Sequence, residues 1–241
     1  MLSKTQSILI SIAFFIFVSF GATLGPDVLS LLSRGEVSAT LGDYQFEIPE
    51  HETVARAGNP ILRKLTGLGG KDQSVVFSIA ASELRDQVPG YKVQEDGRLS
   101  DVKGIIRVWS RLRIEQYQKP ERYRDLWYGQ GSYHNRVIEA QSDSELYRVF
   151  RDTNKRSAWV VLNQQPSASA PQPDLMEQYW VARCSKQGSV GPFSERFVMC
   201  NSYFFMDDIV VEFYLAEHNL SAVADIRNVI REKIETWKTP V

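Results

Sequence analysis

The longest apolar stretch of the chain lies near its amino end. Residues 5–26 carry no charged side chain, and two serines are the only polar residues between positions 8 and 20. As a helix rising about 1.5 Å per residue, about 22 residues extend about 33 Å, enough to cross a hydrocarbon core about 30 Å thick. The pattern predicts a membrane anchor within residues 1–26. A cleavable signal peptide is the alternative, because it too has a short positive start and an apolar centre.

The residues that flank this segment predict which side of the membrane the chain occupies. Lys4 lies on the short side, and basic residues favour the cytoplasm. We therefore expect residues 27–241 to be exported. They are either tethered to the membrane through residues 5–26 or released after signal cleavage.

Strand patterns dominate the first half of the exported part. Residues 44–49 alternate apolar and polar side chains, and residues 75–81 have so few polar interruptions that both faces are predicted to be buried. In residues 104–114, alternation predicts a half-exposed strand with a basic outer face formed by Arg107, Trp109, Arg111 and Arg113. Residues 146–150 and 157–162, separated by a polar turn, predict a hairpin.

The second half predicts three more strands and a helix. The strands cover residues 178–184, 196–205 and 209–216, the last two joined through Asp207 and Asp208. Apolar residues then recur at steps of three and four, with Asn219 or Ser221 as the predicted cap; they are Leu220, Val223, Ile226, Ile230, Ile234 and Trp237. The fold class is therefore α+β, a largely antiparallel sheet packed by a carboxyl-terminal amphipathic helix.

A segment rich in Pro, Ser, Ala and Gln interrupts the strand patterns at residues 164–174. It lacks apolar periodicity, which is typical of a flexible connector. We interpret it as a long surface loop within one sheet, so that residues 27–241 form one domain. A boundary between two subdomains is the alternative.

Composition and cysteine usage narrow the class of protein. A hydrophobic content of 43%, a charged content of 24% and a net charge of −1 argue against bulk disorder and against a generally basic nucleic-acid binder. The two cysteines, Cys184 and Cys200, are expected to form a disulfide in an exported chain. In a cytosolic protein, two unrelated buried thiols would be favoured instead.

The order of these elements resembles a loose group of single-pass bacterial envelope proteins that face the periplasm. The shared features are an apolar amino-terminal segment, an early aromatic strand ending in Ile-Pro, a cysteine pair, and an aromatic strand before an amphipathic helix. The matching positions are Phe46, Ile48 and Pro49, then Cys184 and Cys200, then Phe213 and Tyr214 before Leu220, Ile226 and Ile230. The resemblance implies that residues 27–241 lie in the periplasm of a bacterial envelope, attached to the inner membrane or released after signal cleavage. It also implies the same order of strands and helix, and it brings no catalytic residues.

The region from Arg107 to Arg136 is the strongest candidate for a binding surface. It holds seven basic residues against three acidic ones, interleaved with Trp and Tyr, and these types make anchors at protein interfaces. The predicted partner-binding residues are Arg111, Arg113, Arg122, Arg124, Trp127 and Tyr128. The structural alternative is that arginine stems and aromatic rings cover a sheet face.

Catalytic and metal-binding patterns are weak throughout. The glycines at 67–70 precede Lys71 without the spacing of a phosphate loop, and the three histidines lie far apart in sequence. We therefore predict no cofactor, no metal and no nucleic acid, but a non-enzymatic periplasmic domain, an accessory, scaffold or immunity-type factor that binds an envelope protein. The alternative is an envelope hydrolase acting on peptidoglycan, lipid or peptide. It requires a concave pocket in which at least two of His51, His134, His218, Asp207, Asp208 or a serine come within hydrogen-bonding reach.

Overall fold

The computed structural model describes residues 36–53, 74–93, 100–187 and 197–240. The predicted membrane segment at residues 5–26 lies outside the described residues. Within the described ranges, no helix is long and apolar enough to cross a membrane.

Eleven strands occur in the described residues and form two antiparallel sheets. In chain order they are β1 (Glu36–Leu41), β2 (Tyr44–Pro49), β3 (Val75–Ile79), β4 (Val102–Val108), β5 (Val137–Ala140), β6 (Tyr147–Phe150), β7 (Ala158–Leu162), β8 (Trp180–Gln187), β9 (Phe197–Met206), β10 (Ile209–Ala216) and β11 (Lys238–Pro240). The large sheet has the order β3-β4-β10-β9-β8-β7-β6-β5, and the small sheet has the order β1-β2-β11. A bridge between Thr53 and Phe77 links the two sheets.

Within the same described ranges, four α-helices accompany the sheets: α1 (Ala81–Gln87), α2 (Arg111–Gln118), α3 (Arg124–Tyr128) and α4 (Val223–Trp237). Shorter 3-10 turns occur at Glu50–Glu52, Pro120–Tyr123, Gly131–Tyr133, Met176–Gln178 and Glu217–Ala222. The prediction of an α+β fold with a large antiparallel sheet and a carboxyl-terminal helix is confirmed.

Most predicted strands are confirmed, including the hairpin of β6 and β7 and the hairpin of β9 and β10. The second hairpin turns at Asp207, which has a positive φ of 53°. The prediction that both faces of residues 75–81 are buried is wrong. In β3, Val75, Phe77 and Ile79 are buried whereas Val76 and Ser78 are partly exposed, because β3 is an edge strand with one covered face.

The predicted long strand at residues 104–114 is also wrong. Strand β4 ends at Val108, and the Trp109 amide then donates to the Asp208 carbonyl at 2.8 Å. The Ser110 hydroxyl accepts from the Arg113 amide and caps α2, so the chain turns into a helix. Arg111 and Arg113 therefore lie on a helix and do not extend the basic face of β4.

The main core lies between α4 and one face of the large sheet. The predicted apolar stripe of α4 is buried from Val223 to Trp237 against sheet residues such as Val211 and Phe213. The predicted caps are wrong, since Asn219 lies in the preceding 3-10 turn and its amide exchanges hydrogen bonds with the backbone of Lys92 at 2.8 and 2.9 Å. Asn219 thereby fastens the start of the helical region to the segment after α1.

The predicted disulfide is confirmed. Cys184 on β8 and Cys200 on β9 are directly opposite in the antiparallel register, and their sulfurs are bonded. Both side chains are fully buried on the α4 side of the sheet. The cross-link therefore joins the two central strands within the main core.

Candidate functional site

The opposite face of the large sheet is covered in part by the segment that holds α2 and α3. A second, aromatic core lies beneath this cover, in which Trp180 packs on Tyr203 with ring centroids 4.2 Å apart. Tyr117 contacts Tyr203 edge-on at 5.2 Å. The cover thus contributes aromatic side chains to a buried layer, as the structural alternative for the basic region anticipates.

The predicted connector at residues 164–174 completes this cover. It contains no helix or strand, and it lies in the loop that joins β7 to β8, which pair in the same sheet. The Gln172 side-chain amide donates to the Pro120 carbonyl and to the Tyr179 hydroxyl, both at 2.7 Å. These bonds fasten the loop to the segment that precedes α3.

Burial of tyrosines under this cover shifts their ionisation. Burial is the largest cause that raises the pKa of Tyr203 and the pKa of Tyr123 above their ordinary values. Burial also raises the pKa of Tyr179 to about 12, although the hydrogen bond from Gln172 acts in the opposite direction. On the α4 side of the sheet, burial raises the pKa of Tyr91 to about 12, and the charge of Asp101 adds to the shift.

These shifts predict a steep loss of stability at alkaline pH. The folded-state pKa values of Tyr91 and Tyr179 exceed the unfolded value of about 10. The contribution of these two tyrosines to folding stability is therefore complete below pH 10 and is lost as pH rises toward about 12. We expect absorbance at 295 nm to show that Tyr91 and Tyr179 ionise only as circular dichroism reports unfolding. The stability difference between wild type and Tyr179→Phe should narrow over the same pH range. Ionisation of all ten tyrosines near pH 10 in a folded protein would contradict this.

The structure separates the predicted partner-binding residues. Arg113 stacks on Trp109, with its guanidinium carbon 4.0 Å from the ring centroid, and lines a cavity of about 660 Å³ near the end of β4. Arg111 is exposed and pairs with Glu115 at 2.9 Å. Arg122 lines a different cavity. The expected patch is therefore divided between two places.

Trp127 does not belong to an exposed patch. It is only 2% exposed, and its indole N–H donates to the Ala170 carbonyl at 3.0 Å. Tyr128 is half-buried, and its hydroxyl accepts from the Gln172 amide at 3.1 Å. Arg124, at the start of α3, is exposed. The two aromatic residues therefore hold the cover in place, and the expectation that Trp127 contacts a partner directly is wrong.

A basic cleft lies between the cover, the turn after β6, and the strands β7 and β8. Its volume is about 540 Å³, within the range of ligand-binding clefts. Its basic lining residues come from three separate parts of the chain: Arg122 from the cover, Arg151 and Lys155 from the turn after β6, and Arg183 from β8. The remaining lining residues are Glu121, Tyr123, Asp125, Leu126, Ser132, Tyr133, Ser157, Ala158, Trp159 and Val160.

Aromatic rings, not carboxylates, support two of the three arginines of this basic cleft. The guanidinium carbon of Arg122 lies 3.4 Å from the ring centroid of Tyr117, and that of Arg151 lies 5.7 Å from Tyr133. Among the described residues, neither of these arginines nor Arg183 forms an ion pair with Asp or Glu. A ring covers the face of a guanidinium and leaves its in-plane N–H donors available. The basic cleft can therefore offer several charged donors to one anionic group or segment.

Three of the four cleft cations were missed by sequence reasoning. Arg151 and Lys155 appear in the sequence as ordinary polar turn residues between two strands. Arg183 was overlooked because it lies within an apolar strand. Its position between Ala182 and Cys184 on a predicted strand nevertheless indicates a side chain that faces away from the core.

The residues of the hydrolase alternative do not converge. His134 Nδ1 donates to the Gly131 carbonyl at 3.0 Å, and His218 Nε2 donates to the Lys92 carbonyl at 3.1 Å. Asp208 accepts from the Tyr44 hydroxyl at 2.9 Å, in a contact between the two sheets. In the ranges that the structure describes, no group of three His, Cys, Asp or Glu side chains is placed to hold a metal ion.

No family model and no curated protein matches the chain. Among solved structures, it is similar to an immunity protein of the Stenotrophomonas maltophilia type IV secretion system, with 12% identity and a TM-score of 0.47 over 86% of this chain and 94% of that one. It is also similar to the iron-regulated outer membrane lipoprotein FrpD of Neisseria meningitidis, with 9% identity and a TM-score of 0.38 over 84% of this chain and 92% of that one. Similarity at this level does not extend to function.

Proposed function

We propose that this protein is a non-enzymatic binding domain of the bacterial envelope, an accessory, scaffold or immunity-type factor. In this proposal residues 5–26 anchor the chain in the inner membrane and the described domain lies in the periplasm. The basic cleft then binds another envelope protein. If the amino-terminal segment is a cleaved signal peptide, the same domain acts as a soluble periplasmic protein.

The observation that carries the proposal is the set of arginines in the basic cleft that lack a carboxylate partner within the described residues. These arginines are Arg122, Arg151 and Arg183. A guanidinium makes its strongest hydrogen bonds to an anionic acceptor such as a carboxylate. An acidic group of a binding partner could supply the acceptor that each of these arginines lacks. Arginine remains protonated at physiological pH and cannot serve as a proton acceptor. The chemistry of the cleft therefore favours recognition of acidic groups.

An acidic protein surface fits the basic cleft better than a small anion. The cleft is open to solvent, its cations come from a broad area, and Tyr133, Ser132 and Ser157 add hydrogen-bonding groups. Interfaces are enriched in arginine and tyrosine because both combine apolar contact area with polar groups. Complementary charge would also accelerate association with such a partner.

The disulfide supports the proposed compartment. Disulfides persist in the oxidising periplasm and are rare in the reducing cytoplasm. We expect Cys184 and Cys200 to resist alkylation when cells are lysed directly into a thiol-blocking reagent, and to react after reduction. Two thiols that react without reduction in fresh lysate would remove this support.

Reversal of charge in the basic cleft tests the proposed binding. We expect Arg151→Glu/Arg183→Glu to abolish co-purification of an envelope partner with the full-length protein after cross-linking in cells. The matched control is Lys186→Glu, since Lys186 is exposed on the same strand as Arg183 and faces the opposite side of the sheet. Arg85→Glu, on α1, adds a second control at an exposed position.

The controls should retain the partner that the wild type binds. Circular dichroism must show that all variants are folded. Equal recovery of the same partner by wild type and by Arg151→Glu/Arg183→Glu would show that the basic cleft is not the docking site.

No contact in the described residues favours the hydrolase alternative, because His134, His218 and Asp208 bond to groups unsuited to nucleophilic or acid-base catalysis.

A further inference from the structure

A polar row runs from the basic cleft across the uncovered part of the large sheet. The antiparallel register places Arg183 of β8 opposite Asn201 of β9, Asn201 opposite Tyr214 of β10, and Tyr214 opposite Lys103 of β4. Directly opposite residues point to the same face of a sheet. Arg183 therefore belongs both to the basic cleft and to this polar row.

The two ends of the polar row are cationic and accessible. Lys103 and Arg183 are exposed, and neither forms an ion pair with any of the residues that the structure describes. Neighbouring strands are about 4.8 Å apart, so the three steps from β8 to β4 place the Cα atoms of Lys103 and Arg183 on the order of 14 Å apart along the row. The spacing between them is thus set by the sheet itself.

The middle of the polar row is neutral and fixed in place. Glu212, two residues before Tyr214 and on the same face of β10, accepts from Asn201 Nδ2 at 2.6 Å and from the Tyr214 hydroxyl at 3.1 Å. Its other oxygen pairs with Arg107 at 2.7 Å, which neutralises the carboxylate. Asn201 and Tyr214 are held by these bonds, so they present a defined surface between two cationic ends.

We infer that the partner contributes an extended acidic segment that crosses β8, β9, β10 and β4 along the polar row. One carboxylate lies at Arg183 in the basic cleft and a second lies at Lys103. An extended chain rises about 3.3 Å per residue, so about four residues cover the distance between the cations. Side chains four positions apart in an extended segment point to the same side, so both carboxylates can face the sheet. This inference rests on the proposed function and specifies the partner's chemistry.

The charge distribution favours a peptide over a nucleic acid. A nucleic-acid strand carries a phosphate at every nucleotide, so some phosphates would lie over the neutral side chains of Asn201 and Tyr214 and gain no ion pair there, since Arg107 is already paired with Glu212. A peptide with two acidic residues separated by neutral ones places its charge at the two ends alone. Its intervening polar groups can then bond to Asn201 and Tyr214.

Labelled peptides test this inference by fluorescence anisotropy with the full-length protein. Three peptides share a length and a serine-threonine background: one has two glutamates four positions apart, one has them three positions apart, and one has glutamines at the first pair of positions. We expect the first peptide to bind about 10-fold or more tightly than the glutamine peptide and more tightly than the three-position peptide. Lys103→Gln should remove the advantage of the second glutamate, whereas Lys186→Gln should leave it unchanged.

The outcomes separate the inference from the function on which it rests. Equal binding of all three peptides, no effect of Lys103→Gln, or tighter binding of a single-stranded oligonucleotide would overturn the inference. The proposed function would still stand if Arg151→Glu/Arg183→Glu abolished capture of the envelope partner. If capture also survived that reversal, the binding function of the basic cleft would fail as well.

Discussion

Glu52→Ala is expected to lower the free energy of unfolding by about 3 to 5 kcal/mol, because it removes one member of a buried ion cluster. Glu52 is 5% exposed and lies in the 3-10 turn after β2. One carboxylate oxygen pairs with Lys233 of α4, and the other accepts from the Trp237 indole at 3.1 Å. In the variant, the Lys233 ammonium and the Trp237 indole N–H would lose this acceptor in a site that water hardly reaches.

Glu83 of α1 cannot replace the missing group. It pairs with Lys233 at 2.6 Å but is more exposed than Glu52, with 28% of its side chain accessible against 7%. Burial opposes the charge of Lys233, yet hydrogen bonds and charges from Glu52 and Glu83 outweigh burial and raise the pKa of Lys233. The cluster therefore keeps Lys233 charged and joins α1, α4 and the end of β2.

Urea unfolding followed by circular dichroism measures this effect. Glu83→Ala should be less destabilising than Glu52→Ala, and the exposed neighbour Glu50 provides a control whose replacement by alanine changes stability by less than about 0.5 kcal/mol. A loss for Glu52→Ala as small as that for Glu50→Ala would contradict the role assigned to the cluster.

Loss of the disulfide is expected to have the second largest effect. Cys184→Ala/Cys200→Ala should lower the free energy of unfolding by about 3 kcal/mol, since the bond closes a loop of about 15 residues and restricts the unfolded chain. Alanine avoids placing a hydroxyl in the buried site that both cysteines occupy. For a domain of this size, the loss corresponds to a melting temperature about 6 to 12 °C lower.

Reduction of the wild type provides the matched comparison. Wild-type protein kept in reductant should melt close to the double-alanine variant, and the variant itself should not respond to reductant. Identical melting temperatures for oxidised wild type, reduced wild type and variant would show that the cross-link contributes no stability.

Elements with a regular spacing of apolar residues were predictable from the sequence. Strand β2 alternates apolar and polar residues, and α4 has apolar residues at steps of three and four, so each has one face that must be buried. The cysteine pair was also predictable, because two cysteines in one chain have one possible pairing.

Helix α2 shows why other elements were not predictable. Ile114 is its one buried residue, and Leu112 is 65% exposed, so no apolar stripe marks the segment as a helix. The alternation that begins in β4 continues through Arg111 and Arg113 by chance, and the cap at Ser110 is the local signal that opposes it.

The basic cleft was only partly predictable, for a topological reason. Arg122 belongs to a basic, aromatic stretch that stands out in the sequence, whereas Arg151 and Arg183 join it through the neighbouring strands β6, β7 and β8. Trp127 was placed on the surface because composition does not reveal that the loop after β7 covers it. Positions so far apart are brought together by strand order, which the sequence pattern leaves open.

Site-specific photo-cross-linking in living cells tests most directly whether the basic cleft contacts another protein. A photoreactive residue would replace Ser157, an exposed lining residue of the cleft, and in a control it would replace Ser82, exposed on α1. We expect the Ser157 position to form a discrete adduct with one envelope protein, absent from the Ser82 position and lost when Arg183→Glu is added. A partner that co-purifies with the protein yet never cross-links from Ser157, or that cross-links from Ser82 instead, would contradict the proposed docking site.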